Sequence, residues 1–410
     1  MLRRWKLKPL SWLAAVVLPL ALAGCLLHNR QVHTPTSAGL DTNNLIDPSA
    51  QIDSHDALRQ LNPRPVVPGT VTSRSTGKRS VLCLSGGGAY GAYTVGVLYG
   101  WSCLGTRPCF DVVTGVSTGA LIAPYAFLGS SYDQHVRELY TTMDARDIYK
   151  LKPVTGVFSE SFASNRPLAR KLNEQVTPQM MAAVAREHAK GRRLYVGTSE
   201  MEGHRFVVWD VGAIASGGRP EDLELIKKIL LASSAIPGLF PPTRIPVTVN
   251  GEFFTELHVD GSVQQSVFFR PPVDQPGQSP QDVDVYVIVA GKLYAGKDTI
   301  TPRSVRIALQ NLQTFSYAHT RGDLFRIWSV CQMTGRKYYL TALPANYPAP
   351  ESMTDFDREE MTGMYREGVR QITQGIAWRT TPPGLEPGED PLVRSSTDLT
   401  VVPRSTVVLP

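Results

Sequence analysis

The sequence predicts an α/β fold in which helices cover a mainly parallel central sheet on both sides. Between residues 79 and 378, short runs rich in Val and Ile alternate with segments of helical periodicity. Strands of that composition are typical of parallel sheets, whose two faces are both buried. Hydrophobic residues make up 42% of the 410-residue chain, which is enough for a sizeable core and excludes wholesale disorder.

Each element follows from a local pattern. Apolar runs bounded by turn residues predict strands at 81–84, 112–114, 194–198, 206–209 and 283–290. Helical spacing of apolar residues predicts helices at 89–101, 118–128, 221–232, 302–317 and 357–378. The last of these carries Met361, Met364, Ile372 and Ile376 near one face, which we interpret as core packing.

The first 24 residues have the pattern of a signal peptide. A positive segment, MLRRWKLK, precedes the apolar segment PLSWLAAVVLPLALA and the tetrapeptide LAGC, which ends at Cys25. This end resembles the lipobox of bacterial lipoproteins, in which the peptide is cut before the Cys and the Cys is lipidated. With Leu26 next, the resemblance implies an exported protein anchored to the outer membrane of a Gram-negative cell. An ordinary signal peptide and a transmembrane anchor are the alternatives.

Most of the net positive charge of the chain comes from this predicted signal peptide. The formal charge is +6, and four positive charges, those of Arg3, Arg4, Lys6 and Lys8, lie in the first 24 residues. The rest of the chain keeps a net charge of +2, which removes the main support for a nucleic-acid partner.

The predicted folded domain, 79–378, lies between two segments of different composition. Residues 25–78 are polar and rich in Pro after the lipidated Cys, which predicts a flexible tether. Residues 379–410 begin with a Pro-rich stretch, which predicts a weakly ordered tail.

The cysteines suit an oxidising compartment. Cys103 and Cys109 flank the loop LGTRP, and we predict a disulfide between them, with two buried free thiols as the alternative. No Cys or His spacing suggests zinc, so the sequence predicts no metal site.

A glycine motif follows the first predicted strand. The strand ends at Ser85, and Gly86, Gly87 and Gly88 turn the chain into a helix. Glycines let a backbone pass close to a ligand and leave N–H groups bare at a helix N-terminus. Gly86, Gly88 and Gly91 also spell the dinucleotide pattern GxGxxG. A dinucleotide site needs an acid at the end of the next strand, and that strand has Asp111 at its beginning, so we predict no nucleotide cofactor.

A second motif, Gly115-Val116-Ser117-Thr118-Gly119, lies at the end of the next predicted strand. The buried-strand pattern FDVVT precedes it and the helical pattern TGALIAPYAFL follows its serine. Strand, sharp turn and helix are the context of a nucleophile elbow, which exposes a serine at its tip. Gly115 and Gly119 remove side chains where the strand and the helix crowd together, so Ser117 is the candidate nucleophile.

The third motif is His258-Val259-Asp260-Gly261-Ser262. By itself, Asp260-Gly261 after an apolar stretch is typical of a structural turn. It gains interest only from the two motifs before it.

In this order, the three motifs resemble those of the patatin-like phospholipases, and the run LASSAIPGLFPP at 231–242 is similar to a further block of that family. The resemblance covers roughly 79–375, most of the mature chain. It implies a three-layer α/β/α sandwich with a mainly parallel central sheet. The implied activity is hydrolysis of fatty acyl esters of phospholipids or related lipids, with membrane lipids as substrate and no cofactor.

The same resemblance implies the roles of the site residues. Ser117 is the implied nucleophile and Asp260 its base, a dyad in place of a triad. The backbone N–H groups of Gly86, Gly87 and Gly88 are the implied oxyanion hole. An ordinary Asp has a pKa of about 3.9, so the base must be desolvated to accept a proton near neutral pH.

The chain departs from the family pattern at four positions. Tyr90 stands where the family often has Arg or Lys, and Ser262 replaces the usual Gly or Ala. Ser266 and Phe268 stand where Asn and Pro are often found. A catalytically silent, membrane-associated scaffold or binding lipoprotein is therefore an alternative function.

A Ser–His–Asp esterase is the second alternative. His258 lies two residues before Asp260, and His319 follows Asp260 in the chain order of triad hydrolases. The stretch 150–178 is long and loop-like, which makes it a candidate lid over Ser117.

Overall fold

The computed structural model describes residues 78–152, 159–249, 252–272, 282–294, 304–350 and 352–385. The predicted signal peptide 1–24, the lipidation residue Cys25, nearly all of the predicted tether and the stretch 386–410 lie outside the described residues. Within the described ranges, no helix is both long and apolar enough to cross a bilayer.

Ten strands are described, and eight of them form one sheet. In chain order the strands are β1 Arg79–Leu84, β2 Val112–Val116, β3 Lys150–Leu151, β4 Ala163–Ser164, β5 Arg193–Glu200, β6 Arg205–Asp210, β7 Thr243–Val249, β8 Glu252–Asp260, β9 Val283–Lys292 and β10 Lys337–Leu343. The large sheet has the order β10-β9-β1-β2-β5-β8-β7, with β6 paired to β5, while β3 and β4 pair only with each other. The five strands from β10 to β5 run parallel, and β6, β7 and β8 are antiparallel to their neighbours.

Ten α-helices accompany the strands in the described part of the chain. They are α1 Gly91–Cys103, α2 Thr118–Leu128, α3 Asp133–Thr142, α4 Ala145–Ile148, α5 Arg166–Gln175, α6 Pro178–Ala189, α7 Val211–Ser216, α8 Pro220–Ser233, α9 Ser304–Thr334 and α10 Arg358–Thr373. Several begin with the expected signals. For example, the Asp357 side chain accepts from the first-turn N–H groups of α10, and Pro178 opens α6 after the capping residue Thr177.

The sheet is buried on both faces. Along β1, Leu82 and Leu84 belong to one core cluster, whereas Val81 and Cys83 belong to another. Helix α9 supplies Leu324 to the second cluster, and most other helices pack into the first. These two helical layers around a mainly parallel sheet confirm the predicted α/β/α sandwich.

Three strands of the large sheet were not predicted: the parallel edge strand β10 and the antiparallel strands β7 and β8. Strand β7 forms an edge of the sheet and contains Pro246, a residue that argues against a central strand but is tolerated at an edge. Its partner β8 mixes polar and apolar residues, and Phe253 is exposed. Neither strand therefore shows the continuous apolar run that identified the parallel strands.

The stretch 150–178 is not the loop that we expected. It contains the β3–β4 pair and helix α5, while 153–158 lie outside the described residues. Leu168 and Leu172 of α5 are buried, so this helix is part of the folded body.

Helix α9 is longer than predicted because its second half also packs on the sheet. Leu324, Ile327 and Cys331 are buried at helical spacing, and polar residues between them hid the pattern. Helix α10 is shorter than predicted. It ends at Thr373, and Ile376 beyond it is 59% exposed instead of packing in the core.

The C-terminal segment stays attached to the sheet further than expected. Arg379 and Leu340 exchange two backbone hydrogen bonds of 2.8 and 2.9 Å. The Arg379 side chain also donates to the carbonyl of Pro382, which is buried. The first residues after 378 therefore still pack on the sheet.

The predicted disulfide between Cys103 and Cys109 is wrong for this structure, which holds both as exposed thiols. The loop between them is held in another way. The guanidinium of Arg107 donates to Asp133 Oδ1 at 2.7 Å and to Ser102 Oγ at 3.1 Å. This anchor shapes the loop without a covalent bridge.

Candidate active site

The glycine motif forms the loop between β1 and α1. Gly87 and Gly88 have φ angles of 153° and 53°, which only glycine adopts without strain. A Cβ atom at Gly87 would collide with the carbonyl of Ala290, and one at Gly88 with the carbonyl of Met353. The missing side chains make room for other backbone of this protein, which gives the dinucleotide interpretation no support.

Ser117 lies in the sharp turn between β2 and α2. Its φ and ψ are 53° and −125°, a conformation rare for a residue with a side chain and typical of a strained nucleophile turn. A Cβ on Gly115 would lie 2.5 Å from the carbonyl oxygen of Gly119, and one on Gly119 would lie 2.5 Å from that of Leu84. Both motif glycines therefore permit the close approach of helix and strands that the sequence predicted.

Strand β5 brings Ser117 and Asp260 together. Val116, the last residue of β2, pairs with Gly197, and the next residue of β5, Thr198, pairs with Asp260 at the end of β8. Because β6 occupies the other edge of β5, β2 and β8 share this edge and meet end to end. The two candidate residues, 143 positions apart in the chain, thus arrive at one point.

Ser117 donates a short hydrogen bond to Asp260. The distance from Ser117 Oγ to Asp260 Oδ2 is 2.5 Å, and the side chains are 6% and 3% exposed. The other carboxylate oxygen, Oδ1, accepts from the N–H of Ser262 at 2.8 Å. Burial raises the pKa of Asp260 to about 6, although the hydrogen bonds from Ser117 and Ser262 pull it down. The carboxylate is therefore a far better base near neutral pH than an exposed Asp.

The glycine loop offers two N–H groups, not three. The N–H of Gly86 already donates to the carbonyl of Ser266 at 2.9 Å, which removes it from the predicted oxyanion hole. The N–H groups of Gly87 and Gly88 have no acceptor among the described residues. Gly88 also lines the cavity that contains Ser117.

The remaining motif glycines, Gly261 and Gly91, allow close contacts between the elements around the site. A Cβ on Gly261 would lie 2.6 Å from the carbonyl oxygen of Gly197 and 2.9 Å from a methyl of Val116, so Gly261 lets β8 end against β2 and β5. A Cβ on Gly91 would collide with Thr118 Oγ1, so Gly91 lets α1 pass the start of α2.

Ser233 is a site residue to which the sequence analysis gave no role. Its hydroxyl accepts the N–H of Ser117 at 2.9 Å and donates to the carbonyl of Gly197 at 2.7 Å. The side chain is fully buried at the end of α8. The block LASSAIPGLFPP was a signal for it, but only the fold shows that this serine holds the backbone of the strained turn.

Neither candidate histidine joins the dyad. The ring of His258 is fully buried, and its two nitrogens lie 3.0 Å from Glu256 Oε2 and from Thr198 Oγ1. Burial lowers the pKa of His258. His319 lies on α9, one turn before Asp323, and takes no part in the hydrogen bond between Ser117 and Asp260. Ser117 donates directly to Asp260, so the geometry does not support a Ser–His–Asp arrangement.

A largely apolar cavity opens beside Ser117. It encloses about 940 Å³, including its opening to solvent. Helices α2, α3, α5 and α8 and the chain after α8 supply its walls, with side chains that include Leu121, Leu139, Leu172, Leu230, Ile236 and Phe240. Lys171 and Gln175 are among the few polar residues in the wall. The lining is that of a site for an apolar ligand.

Three departures from the family pattern have visible structural roles. The Tyr90 hydroxyl donates to the carbonyl of Pro350 at 2.6 Å, the Phe268 ring packs edge-on against Phe206, and the carbonyl of Ser266 accepts from the glycine loop. None of them removes a group of the dyad.

Among the described residues, no cluster of three or more His, Cys, Asp or Glu could hold a metal ion.

Parts of the chain are similar to proteins that are described as phospholipases. A family model described as patatin-like phospholipase matches residues 82–273. The cUMP-AMP-activated phospholipase of Escherichia coli is 48% identical over 64 residues, which are 15% of this chain and 20% of that protein. The chain thus matches about a fifth of the length of this curated relative.

Two solved structures align with most of the chain at low similarity. VipD from Legionella pneumophila has a TM-score of 0.38 and 13% identity, covering 80% of this chain and 74% of that one. Human GIVD cytosolic phospholipase A2 has a TM-score of 0.36 and 13% identity, covering 81% of this chain and 64% of that one.

Proposed function

We propose that this chain, which carries a match to the patatin-like phospholipase family over residues 82–273, is a lipid acyl hydrolase with a Ser117–Asp260 dyad. One observation carries the proposal. The hydroxyl of Ser117, which lines an apolar cavity, donates to the buried carboxylate of Asp260.

In the first step, Ser117 Oγ attacks the carbonyl carbon of an acyl ester while Asp260 takes the hydroxyl proton. An ordinary Asp is about three pH units too acidic for this task at pH 7, a mismatch on the order of 4 kcal/mol. With its pKa raised to about 6, Asp260 lies only about one unit below pH 7, so burial removes most of that mismatch.

The N–H groups of Gly87 and Gly88 are the proposed oxyanion donors. Each donor of this kind is typically worth about 2.7–4 kcal/mol of transition-state stabilisation. As the ester bond breaks, Asp260 returns the proton to the leaving alcohol, and the acyl group stays on Ser117. Water activated by Asp260 then releases the fatty acid and restores the serine.

The cavity supports a long acyl chain as the part of the substrate that is held. Burial of each methylene is worth about 0.8 kcal/mol, so an apolar wall selects for chain length. Phospholipids or related lipids of a membrane are the proposed substrates.

We also propose that the protein is exported and anchored to the outer membrane through a lipid on Cys25. The proposal rests on the lipobox-like sequence, and it fits an enzyme whose substrate lies in the same membrane, because tethering raises the local concentration. Incorporation of labelled palmitate into the wild type but not into Cys25→Ser is the expected result. Equal labelling of both proteins would exclude this site.

A fluorophosphonate probe tests the catalytic proposal. The full chain in phospholipid vesicles is compared with Ser117→Ala and Asp260→Ala, with Ser216→Ala as the matched control. Ser216 is exposed on α7, and its hydroxyl bonds only the backbone of its own helix. We expect the wild type and the control to label and to release fatty acid, and the two dyad variants to do neither. A folded wild type that neither labels nor hydrolyses lipid would favour the silent scaffold.

A further inference from the structure

Three short chain segments lie side by side at one edge of the cavity. Strand β4 pairs on one side with β3, and the N–H of Lys152 just after β3 donates to the carbonyl of Phe162 at 2.8 Å. On the other side of β4, the N–H of Phe162 donates to the carbonyl of Gly238 at 2.9 Å. We call the residues 150–152, 161–163 and 237–239 the cavity ribbon.

The cavity ribbon is continuous with the wall of the cavity. Ile148, shortly before β3, lines the cavity, and so does Leu168 in the first turn of α5, shortly after β4. Ile236 and Phe240, on either side of the segment 237–239, line it as well. Because Ile236 is only partly buried, the wall reaches the protein surface next to the ribbon.

The ribbon exposes apolar side chains. Leu151 is 59% exposed and Phe162 is 55% exposed, and Pro237 on the neighbouring segment is exposed too. Single exposed hydrophobic residues are common, but these lie together beside an apolar cavity. Leu151 and Phe162 expose roughly 200 Å² between them, far less than the roughly 800 Å² that each partner contributes to a stable protein interface. A patch of this size suits shallow insertion into a lipid surface.

Cations flank these apolar side chains. Strand alternation places the exposed Lys150 on the face of the ribbon that carries Phe162. Arg166, the exposed first residue of α5, follows β4 closely. Lys150 and Arg166 form no ion pair among the described residues, whereas the nearby carboxylate of Glu160 is paired with Arg244 at 2.6 Å. This charge pattern complements the anionic head groups of a membrane.

We propose that the cavity ribbon docks this protein on a bilayer that contains anionic phospholipids. Leu151 and Phe162 enter the boundary between head groups and acyl chains, and Lys150 and Arg166 contact lipid phosphates. The inference rests on the proposed function, because it takes a membrane lipid to be the substrate. It adds which face of the protein meets the bilayer, since an anchor on a flexible tether does not fix the orientation of the folded domain.

Site-specific crosslinking tests this orientation. The photo-crosslinking analogue p-benzoylphenylalanine replaces Phe162 in the full chain or, as the matched control, Phe325. Phe325 is 48% exposed, but it lies on α9, which packs on the other face of the sheet. Both proteins are irradiated on vesicles of phosphatidylcholine and phosphatidylglycerol, and mass spectrometry detects the lipid adducts. We expect lipid adducts at position 162 and only background at position 325.

Hydrolysis of the same vesicles measures the contribution of single side chains. Leu151→Ala and Phe162→Ala each lose an apolar group that is about half exposed in the free protein, so each should lower the rate at limiting lipid about fivefold. Lys150→Ala should lower it about fivefold at low salt and little at high salt, because salt screens the attraction to phosphate. All three variants should hydrolyse soluble p-nitrophenyl butyrate as the wild type does, and Phe325→Ala should match the wild type on both substrates.

The possible outcomes are distinct. Absence of lipid adducts at position 162, or equal amounts at positions 162 and 325, would overturn the docking surface. Adducts at position 162 that join two copies of the chain would overturn it in favour of a protein interface. Equal losses on vesicles and on the soluble ester would overturn it in favour of a structural role for the ribbon. A protein that forms lipid adducts at position 162 but hydrolyses neither substrate would instead overturn the proposed function and leave the docking surface in place.

Discussion

Replacement of Asp260 by Asn should stabilise the protein while abolishing its activity. Burial raises the pKa of this carboxyl from an ordinary 3.8 to about 6 in the folded state. Between these two values, the folded protein keeps a proton that the unfolded chain has released. Wild-type stability therefore falls as the pH rises through this window, whereas the neutral Asn side chain has no such dependence.

The magnitude follows from the width of the window. About two pH units at 1.36 kcal/mol each give a difference of about 3 kcal/mol above pH 6 and none below pH 4. Asn can keep the local hydrogen bonds, since its oxygen can still accept from Ser262 N–H and its amide can donate to Ser117 Oγ.

Urea unfolding of the full chain in a non-ionic detergent, repeated from pH 4 to pH 8, measures the effect. The free energy of unfolding of Asp260→Asn minus that of the wild type should rise between pH 4 and pH 6 and then level off. Ser117→Ala keeps the carboxylate but removes a hydrogen bond that pulls its pKa down, so this variant should show a pH dependence of the same sign that extends to higher pH. A difference for Asp260→Asn that stays constant across the range would refute the assignment of a raised pKa to Asp260.

Three further predictions concern the surroundings of the dyad. Ser233→Ala leaves the N–H of Ser117 without its acceptor, so it should lower kcat at least tenfold with little change in KM. It should also lower the free energy of unfolding by about 1–3 kcal/mol, and an unchanged kcat would contradict a role of Ser233 in holding the turn. Leu172→Trp narrows the cavity, so this variant should prefer esters of shorter acyl chains than the wild type does. Its kcat/KM should fall about fourfold for each methylene beyond the longest chain that still fits. The same chain-length preference in the variant and the wild type would place the acyl chain elsewhere. Asp323, with a pKa raised by burial to about 6, accepts the N–H of Ser266, whose carbonyl holds the glycine loop. Asp323→Asn should therefore keep activity at pH 7 within a few-fold, while Asp323→Ala should lose about tenfold in kcat, and equal activity of the two variants would show that this support is not needed.

Local patterns were sufficient for the elements that carry the nucleophile. Buried apolar runs identified β1 and β2, and helical spacing identified α2, because burial on both faces leaves a continuous hydrophobic signal. The role of the glycines around Ser117 could be inferred from the sequence for a similar reason. A strained turn between a strand and a helix excludes side chains from its immediate neighbours in the sequence.

Two of the antiparallel strands, β7 and β8, could not be identified in this way. Strands β7 and β8 are partly exposed and carry polar residues and an edge Pro246, so their pattern resembles that of a loop. Cys103 and Cys109 show the same limit, since their spacing allowed a bridge but Arg107 anchors the loop instead.

By itself, the sequence determined four of the five parallel strands, several of the helices and the turn that presents Ser117, since each depends on residues close together in the chain. The tertiary structure alone decided that β2 and β8 end at the same edge of β5, which joins Ser117 to Asp260 across 143 positions. It also decided that the N–H of Gly86 donates to the carbonyl of Ser266 and that the hydroxyl of Ser233 accepts the N–H of Ser117 in the strained turn. These contacts depend on strand pairing and on burial, and a hydrogen bond between distant residues leaves no periodic trace in either segment.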